Sequence, residues 1–369
     1  MSKAIPWWFN SLLLPLANVG LAFVACAIVL WLMGIDVLFA THVMIDGALG
    51  SGEGVGYTLY YATNFIFAGL AVALAWQAGL FNIGAEGQAL IGGLGISIVC
   101  LYWVPLPMIL LFPLTILVSA LFGALWAFIP GWLNAYRGSH IVITTIMFNL
   151  IASSLIVYLL VGPLKESGQM AAVSTTFPQQ TWLPSIENMA SYFGVTLQSS
   201  PLNISFIWAL LCCLGTYFYL WHTRVGFETR VVGLNLQGAK FAGIAQRRII
   251  IITMLLSGAL AGFIGLNEVQ GSSHQLQVEF VSGYGFTGIA IALMGRNHPL
   301  GILIASLLFG ALYQGGAELA FNIDSVGNDV IILIQALVVL FCGALELMLK
   351  PSLINLFRFN SPKTEAGNA

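Results

Sequence analysis

The chain has 369 residues, of which 59% are hydrophobic and only 7% are Asp, Glu, Lys or Arg. A water-soluble core of this size needs a charged shell of roughly a quarter of its residues, so the composition demands lipid as solvent. The net charge of -2 argues against a broad basic face.

Residues 1–14 carry Lys3 and reach the first apolar run without a small-residue cleavage site, so they read as a cytoplasmic N-terminus before a retained span. Ten spans follow, over 15–35, 57–77, 84–104, 107–130, 140–162, 204–222, 248–267, 282–295, 299–318 and 326–348. Together they make 15–348 an all-α, polytopic transmembrane domain, because the apolar runs do not alternate as barrel strands would. Fifty residues between Glu86 and Arg137 pass without one charged side chain. The 282–295 segment is too short to cross straight at about 1.5 Å per residue, which makes it tilted, broken or partly inserted. Between spans, the Ser-, Gln-, Thr- and Pro-rich stretch 163–203 is an external loop that either covers helix ends or contacts a partner. The stretch 223–247 is cytoplasmic, and 349–369 is a cytoplasmic tail.

Orientation follows from charge. With residue 1 inside, Lys3, Arg137, Arg224, Arg230, Lys240, Arg247, Arg248, Arg296, Lys350, Arg358 and Lys363 all fall on the cytoplasmic side, and only Lys165 falls outside. That is the positive-inside pattern, and it places both termini in the cytoplasm.

Reactive chemistry is not visible. Cys26, Cys100, Cys212, Cys213 and Cys342 each lie in an apolar run and read as small hydrophobes, without a metal cluster or disulfide framework. No HExxH, CxxC or calcium-loop pattern occurs. Residues 233–241 approach a nucleotide-binding loop, but Ala239 displaces Lys240 and Phe241 stands where magnesium needs a hydroxyl. No catalytic residue and no metal ligand is expected. Glu86, Glu268, Glu279, Glu318 and Asp329 map to span ends, so no midplane carboxylate argues for proton coupling. A cation- or proton-coupled secondary transporter is the alternative reading.

Residues 79–88 read as a tight glycine turn at the inner surface, with Glu86 stabilised by the free N–H groups of the helix that follows. Asn82, Gln88 and Asn149 carry amides that need partners away from water; they either pack helices or line a polar route for solute, and Asn267 and Gln335 pose the same choice. Gly258, Gly262 and Gly265 form a low-relief face suited to close helix packing. The basic segment 223–245 could anchor to anionic headgroups or transmit force.

Four blocks resemble one family. They are Gly79 to Gln88; Thr144 to Ala152; Thr223 to Asn235, continuing to Ala239, Gly243 and Ile244; and Gly285 to Gly295, followed by Pro299, Gly301 and Phe309 to Leu312. In order and content they resemble the membrane permease subunits of bacterial ATP-binding-cassette (ABC) importers for nucleosides and simple sugars, of the kind served by basic-membrane-protein-type binding lipoproteins. The resemblance implies a type II-like importer fold in the inner (plasma) membrane. It also implies a cytoplasmic ATPase subunit that holds ATP and magnesium, a second permease chain, identical or homologous, and an external solute-binding lipoprotein. Arg230, Gly233, Asn235, Ala239, Gly243 and Ile244 would then belong to the region that couples to the ATPase. The sequence departs from the family at Val231 and Leu236, where alanine and proline are usual, and at Gly138 to Ile141, where an acid is common.

Overall fold

A computed structural model describes residues 14–102, 106–166, 168–191, 194, 196, 198–323 and 327–341. Residues 1–13, Cys342, the end of the last expected span and the tail 349–369 lie outside the described residues, as do Lys3, Lys350, Arg358 and Lys363. Within them the chain is helical: α1 (Leu14–Leu32), α2 (Val37–Ile45), α3 (Gly52–Gln77), α4 (Ala85–Tyr102), α5 (Met108–Arg137), α6 (Ile141–Val161), α7 (Ile186–Ser191), α8 (Ser205–His222), α9 (Arg224–Leu234), α10 (Leu236–Phe241), α11 (Gln246–Gly262), α12 (Tyr284–Met294), α13 (Pro299–Asn322) and α14 (Asn328–Val339). Among the described residues seven helical stretches are long and apolar enough to cross a membrane, with shorter apolar helices beside them.

The chain divides into two compact units. One joins the residues up to Met44 with those from Gly316 onward; within it α1 packs on α14, and the Cys26 thiol donates to the Ile334 carbonyl at 3.8 Å. The other comprises Ile45–Gly315. At its centre stand α3 and α4, whose apolar stretches are 89% and 78% buried, whereas those of α5, α6 and α8 are buried by only 22%, 28% and 28%. The outer three therefore turn a face to lipid, and Leu117, Leu125, Ile143, Leu150, Leu214 and Phe218 lie exposed on it.

Glycines set how closely the inner helices approach. A Cβ on Gly262 would stand 2.6 Å from the Ser119 carbonyl oxygen of α5, and the Ser119 hydroxyl donates to the Gly262 carbonyl at 2.7 Å. Gly258 faces Gly123 and Ala127, and Gly265 faces Gly93 of α4. This seam joins α4, α5 and α11 almost backbone to backbone.

Four sequence expectations change here. Helix α2 and the π-helical turn Asp46–Gly50 occupy a stretch read as loop. Helix α5 continues through Pro130 to Arg137, where Gly138 at φ +67° closes it and the Asn134 amide donates to the Ser139 carbonyl at 2.8 Å. Beyond α11 the chain keeps winding through a π-helical segment, Leu266–Ser273. Residues 79–88 do not stay at a surface: after Gly79 (φ +72°) the non-helical stretch 80–84 enters the bundle, with Leu80, Asn82 and Gly84 buried.

The segment 163–203 folds over the bundle end opposite the basic one. The Ser174, Phe177 and Leu183 amides donate to the carbonyls of Leu276, His274 and Gln270. Asn203, part of an Asn-Ile-Ser pattern, is 1% exposed and donates to Asn267, which removes it from modification at the surface. The Trp182 and His274 rings stack at 3.8 Å between centroids. Burial holds the His274 imidazole below its ordinary 6.5, against an opposing pull from the Gln270 carbonyl. The folded loop thus favours the neutral ring. Its contribution is complete above 6.5 and disappears as pH falls through the lowered value. Proteolysis within 163–203 should accelerate on acidification below 6.5 in the native protein, and the His274→Phe variant should lose most of that pH dependence. Equal acid sensitivity in both proteins would contradict this role for the ring.

Candidate functional site

Three arrangements stand out in the unit 45–315. The first is a knot of amides where the chain re-enters the bundle. Asn82 donates to Gln88 at 3.0 Å and to the Ser257 hydroxyl at 2.8 Å, while its own oxygen accepts from the Gly84 amide at 2.9 Å. Ser257 in turn donates to the Ala71 carbonyl at 2.6 Å. Asn149 of α6 accepts from the Gly87 amide and donates to the Ile83 carbonyl, both at 2.9 Å. The knot supplies the non-helical stretch with the partners that water would give elsewhere. It brings Asn82, Gln88 and Asn149 together, all buried and all engaged by protein.

Ser257 lies eleven residues into α11, about 16 Å from its start, so α4 begins deep in the bundle. Helix α12 begins there as well. Its 11 residues span only about 16 Å, roughly half a bilayer core. The Glu86 carboxylate accepts from the Gly283 and Gly285 amides at 2.9 and 2.8 Å, so it caps α12 where the sequence reading had it serve its own helix.

The second arrangement surrounds Glu268. Its carboxylate accepts from the Asn64 amide at 2.5 Å, and Tyr60 and Tyr284 stand beside it. Asn64 accepts from Asn267 at 3.0 Å, and Asn267 accepts from both Asn203 and Ser205 at 2.9 Å. One polar chain thus runs from the covering loop to the carboxylate. Around it the Tyr61 and Tyr313 rings approach to 4.4 Å, and Phe65 contacts Tyr284 and Phe309 edge-on at 5.4 and 6.0 Å. Glu268, read from sequence as lying at a span end, is carried inside by the π-helical turn. Tyr60, Tyr61 and Asn64 sit eight to twelve residues into α3, about 12–18 Å along it.

The third is a platform at the basic end. Thr223 caps α9, its hydroxyl accepting from the Gly226 amide at 3.0 Å, and Asn235 caps α10 by accepting from the Gly238 amide at 2.8 Å. Gly243 at φ +74° turns the chain back, and the Ile244 amide donates to the Ala239 carbonyl at 3.0 Å. Val232, Ala239 and Ile249 form a small core under these helices, with Val225, Val231 and Ile244 against it. Gly233 lies on the turn after α3, where a side chain would strike the Gln77 carbonyl and the Gly79 amide. Arg230 lies over the Trp221 ring at 5.9 Å, and Arg247 over Tyr136 at 5.1 Å. The outward side is apolar. Phe227, Leu234, Leu236 and Phe241 are 56%, 87%, 53% and 91% exposed, an unusual surface to leave uncovered at an aqueous end. A cavity of 510 Å³ opens beside Leu236, lined also by Gly79, His140 and Arg247.

Residues 54–345 match the family described as branched-chain amino acid transport system / permease component. The chain belongs to this permease family. A glucose ABC transporter permease of Haloferax volcanii is 35% identical over 347 residues, covering 92% of this chain and 88% of that one. A guanosine ABC transporter permease of Bacillus subtilis is 33% identical, covering 91% and 94%, and a nucleoside ABC transporter permease of Lactococcus lactis subsp. cremoris is 32% identical, covering 92% and 93%. The chain is therefore an ABC transporter permease, a multi-pass membrane protein that works with an ATPase and a substrate-binding partner. The secondary-transporter reading does not fit these relatives.

In the permease, the residues that sequence reading picked for coupling divide by position. Ala239 and Ile244 build the platform from beneath, Gly233 seats it, Asn235 and Gly243 shape its ends, and Arg230 flanks it. Leu234 and Phe241 were passed over because an apolar side chain near a membrane gives no signal of its own. Glu268 was discounted because it falls just beyond the expected span 248–267, and its neighbour Asn64 comes from α3, more than a hundred residues away.

Proposed function

We propose that this chain is the permease subunit of an ATP-driven importer that carries nucleosides. The observation that supports this most is the pair of nucleoside permeases aligned with it over more than nine-tenths of its length. Neutral sugars are the second reading, favoured by the glucose permease of Haloferax volcanii. The assembly comprises two permease chains, identical or homologous, two ATPase subunits that hold ATP and magnesium, and an external binding lipoprotein.

Arg137, Arg224, Arg230, Lys240, Arg247, Arg248 and Arg296 gather at one end of the bundle, and Lys165 sits at the other. This segregation supports a cytoplasmic basic end in the inner membrane, with both termini on that side and anionic lipid around its rim. The apolar outer side of α9 and α10 then meets the ATPase. Nucleotide-driven closure of the ATPase pair moves this platform, and the motion reaches α3 through the Gly233 contact with residues 77–79. Asn82, Gln88 and Asn149 hold the unwound stretch before α4 and so build the wall of the solute passage.

Vesicles carrying the complete assembly test the substrate. ATP-dependent uptake of labelled guanosine should be inhibited by other nucleosides more strongly than by glucose or pentoses. Inhibition by sugars alone would shift the assignment to the second reading.

A further inference from the structure

A carboxyl group inside a membrane protein with no cation among its hydrogen-bonding neighbours needs an explanation beyond helix packing. Glu268 is such a group. It is the charged neighbour of Tyr60, Tyr61, Tyr284 and Tyr313, and it stays half-buried, as do Tyr61 and Tyr313, while Asn64, Tyr60 and Tyr284 are buried. The chain leading from Glu268 into α12 is held in uncommon backbone conformations, with positive φ at His274, Glu279 and Ser282.

We infer that Glu268, Asn64 and the surrounding tyrosines form a station on the solute passage that takes a neutral sugar ring by its vicinal diol, either as a free sugar or as the ribose of a nucleoside. This rests on the transport reading above and extends it to particular residues. The oxygens of a carboxyl group accept hydrogen bonds from ligand hydroxyls. The Asn64 amide takes one position, and the half-buried carboxyl keeps room for a ligand hydroxyl. The tyrosine oxygens accept as well as donate, so the second hydroxyl of a diol finds its acceptor beside the first. A carboxylate holding ribose hydroxyls is established chemistry in nucleotide-binding folds. Tyr61 and Tyr313 stay partly exposed and offer aromatic surface to a nucleobase or to the C–H face of a sugar.

The test compares uptake ratios in vesicles holding the complete assembly, with guanosine set against 2′,3′-dideoxyguanosine and glucose against 2,3-dideoxyglucose. The same binding protein serves every permease variant, so a changed ratio belongs to the permease, and a ratio does not depend on how much complex assembles. The native assembly should prefer the member with the intact diol, and Glu268→Gln should shrink that preference at least about tenfold, as the loss of a charged hydrogen bond implies. Tyr61→Leu should lower uptake of both members of a pair and leave their ratio in place. Guanosine uptake without a diol preference, or with a ratio that Glu268→Gln leaves unchanged, overturns the station while the transport reading stands. If only the glucose pair enters and its ratio responds, the station stands and the nucleoside assignment falls. If neither pair enters the native vesicles, both fail. Full uptake in Tyr61→Leu removes the stacking surface from the proposal.

Discussion

Replacing Gly262 with leucine is expected to abolish recovery of a monodisperse, detergent-solubilised permease. A Cβ there already stands 2.6 Å from the Ser119 carbonyl oxygen. Overpacking a core with extra methylenes usually costs about 1–3 kcal/mol, because neighbouring side chains can shift. Here the obstacle is the Ser119 backbone of α5, so α5 and α11 would have to separate along the seam. The Ser119 hydrogen bond to the Gly262 carbonyl would be lost with them. Leu150→Ala on the lipid-facing side, where the side chain is 59% exposed, serves as the control and should leave recovery unchanged. Size-exclusion profiles of the two variants decide the matter. A normal profile for Gly262→Leu would mean that the seam is not packed as described.

The second large effect concerns the platform. Phe241→Asp should weaken association with the ATPase at least about thirtyfold and leave insertion and folding of the permease intact, as expected for a central apolar anchor in an interface. Phe241 is 91% exposed, so the aspartate loses no packing in the isolated chain. Ala239→Asp differs in cause. It buries a charge among Val232 and Ile249 and should loosen α9 and α10 themselves, seen as new protease cleavage between 223 and 245. Co-purification of ATPase with Phe241→Asp at native levels would place the docking surface elsewhere.

What could be read from the sequence follows what local chemistry encodes. The cores of α3, α4, α6 and α8 were legible because a long apolar run in lipid must satisfy its backbone within itself. The shortness of α12 was legible as well, from length alone. Helix α2 was not, since nine residues, seven of them apolar, flanked by Asp36 and Asp46 fall below any spanning threshold. The end of α5 was set too early at Pro130, because proline breaks helices in water but is tolerated where neighbouring groups re-satisfy the backbone. The π-helical turn after α11 carries no sequence mark, and without it Glu268 falls at a span end. Its true setting depends on Asn64, Tyr60 and Tyr284, which only the fold brings near. The buried amides at Asn82, Gln88 and Asn149 were recognisable as groups needing partners, but the choice of partner was not. Ile83 and Gly87 supply it by backbone groups that any sequence offers, and Ser257 by a hydroxyl far away in the chain.

The most direct test of the account separates the energy source from the permease. Purified permease is placed in vesicles with its binding protein, with and without the ATPase subunit, and labelled guanosine uptake is followed with ATP supplied on the ATPase side. Uptake should require both ATPase and ATP and should ignore an imposed proton gradient. Accumulation driven by that gradient in vesicles lacking the ATPase would contradict an ATP-driven permease.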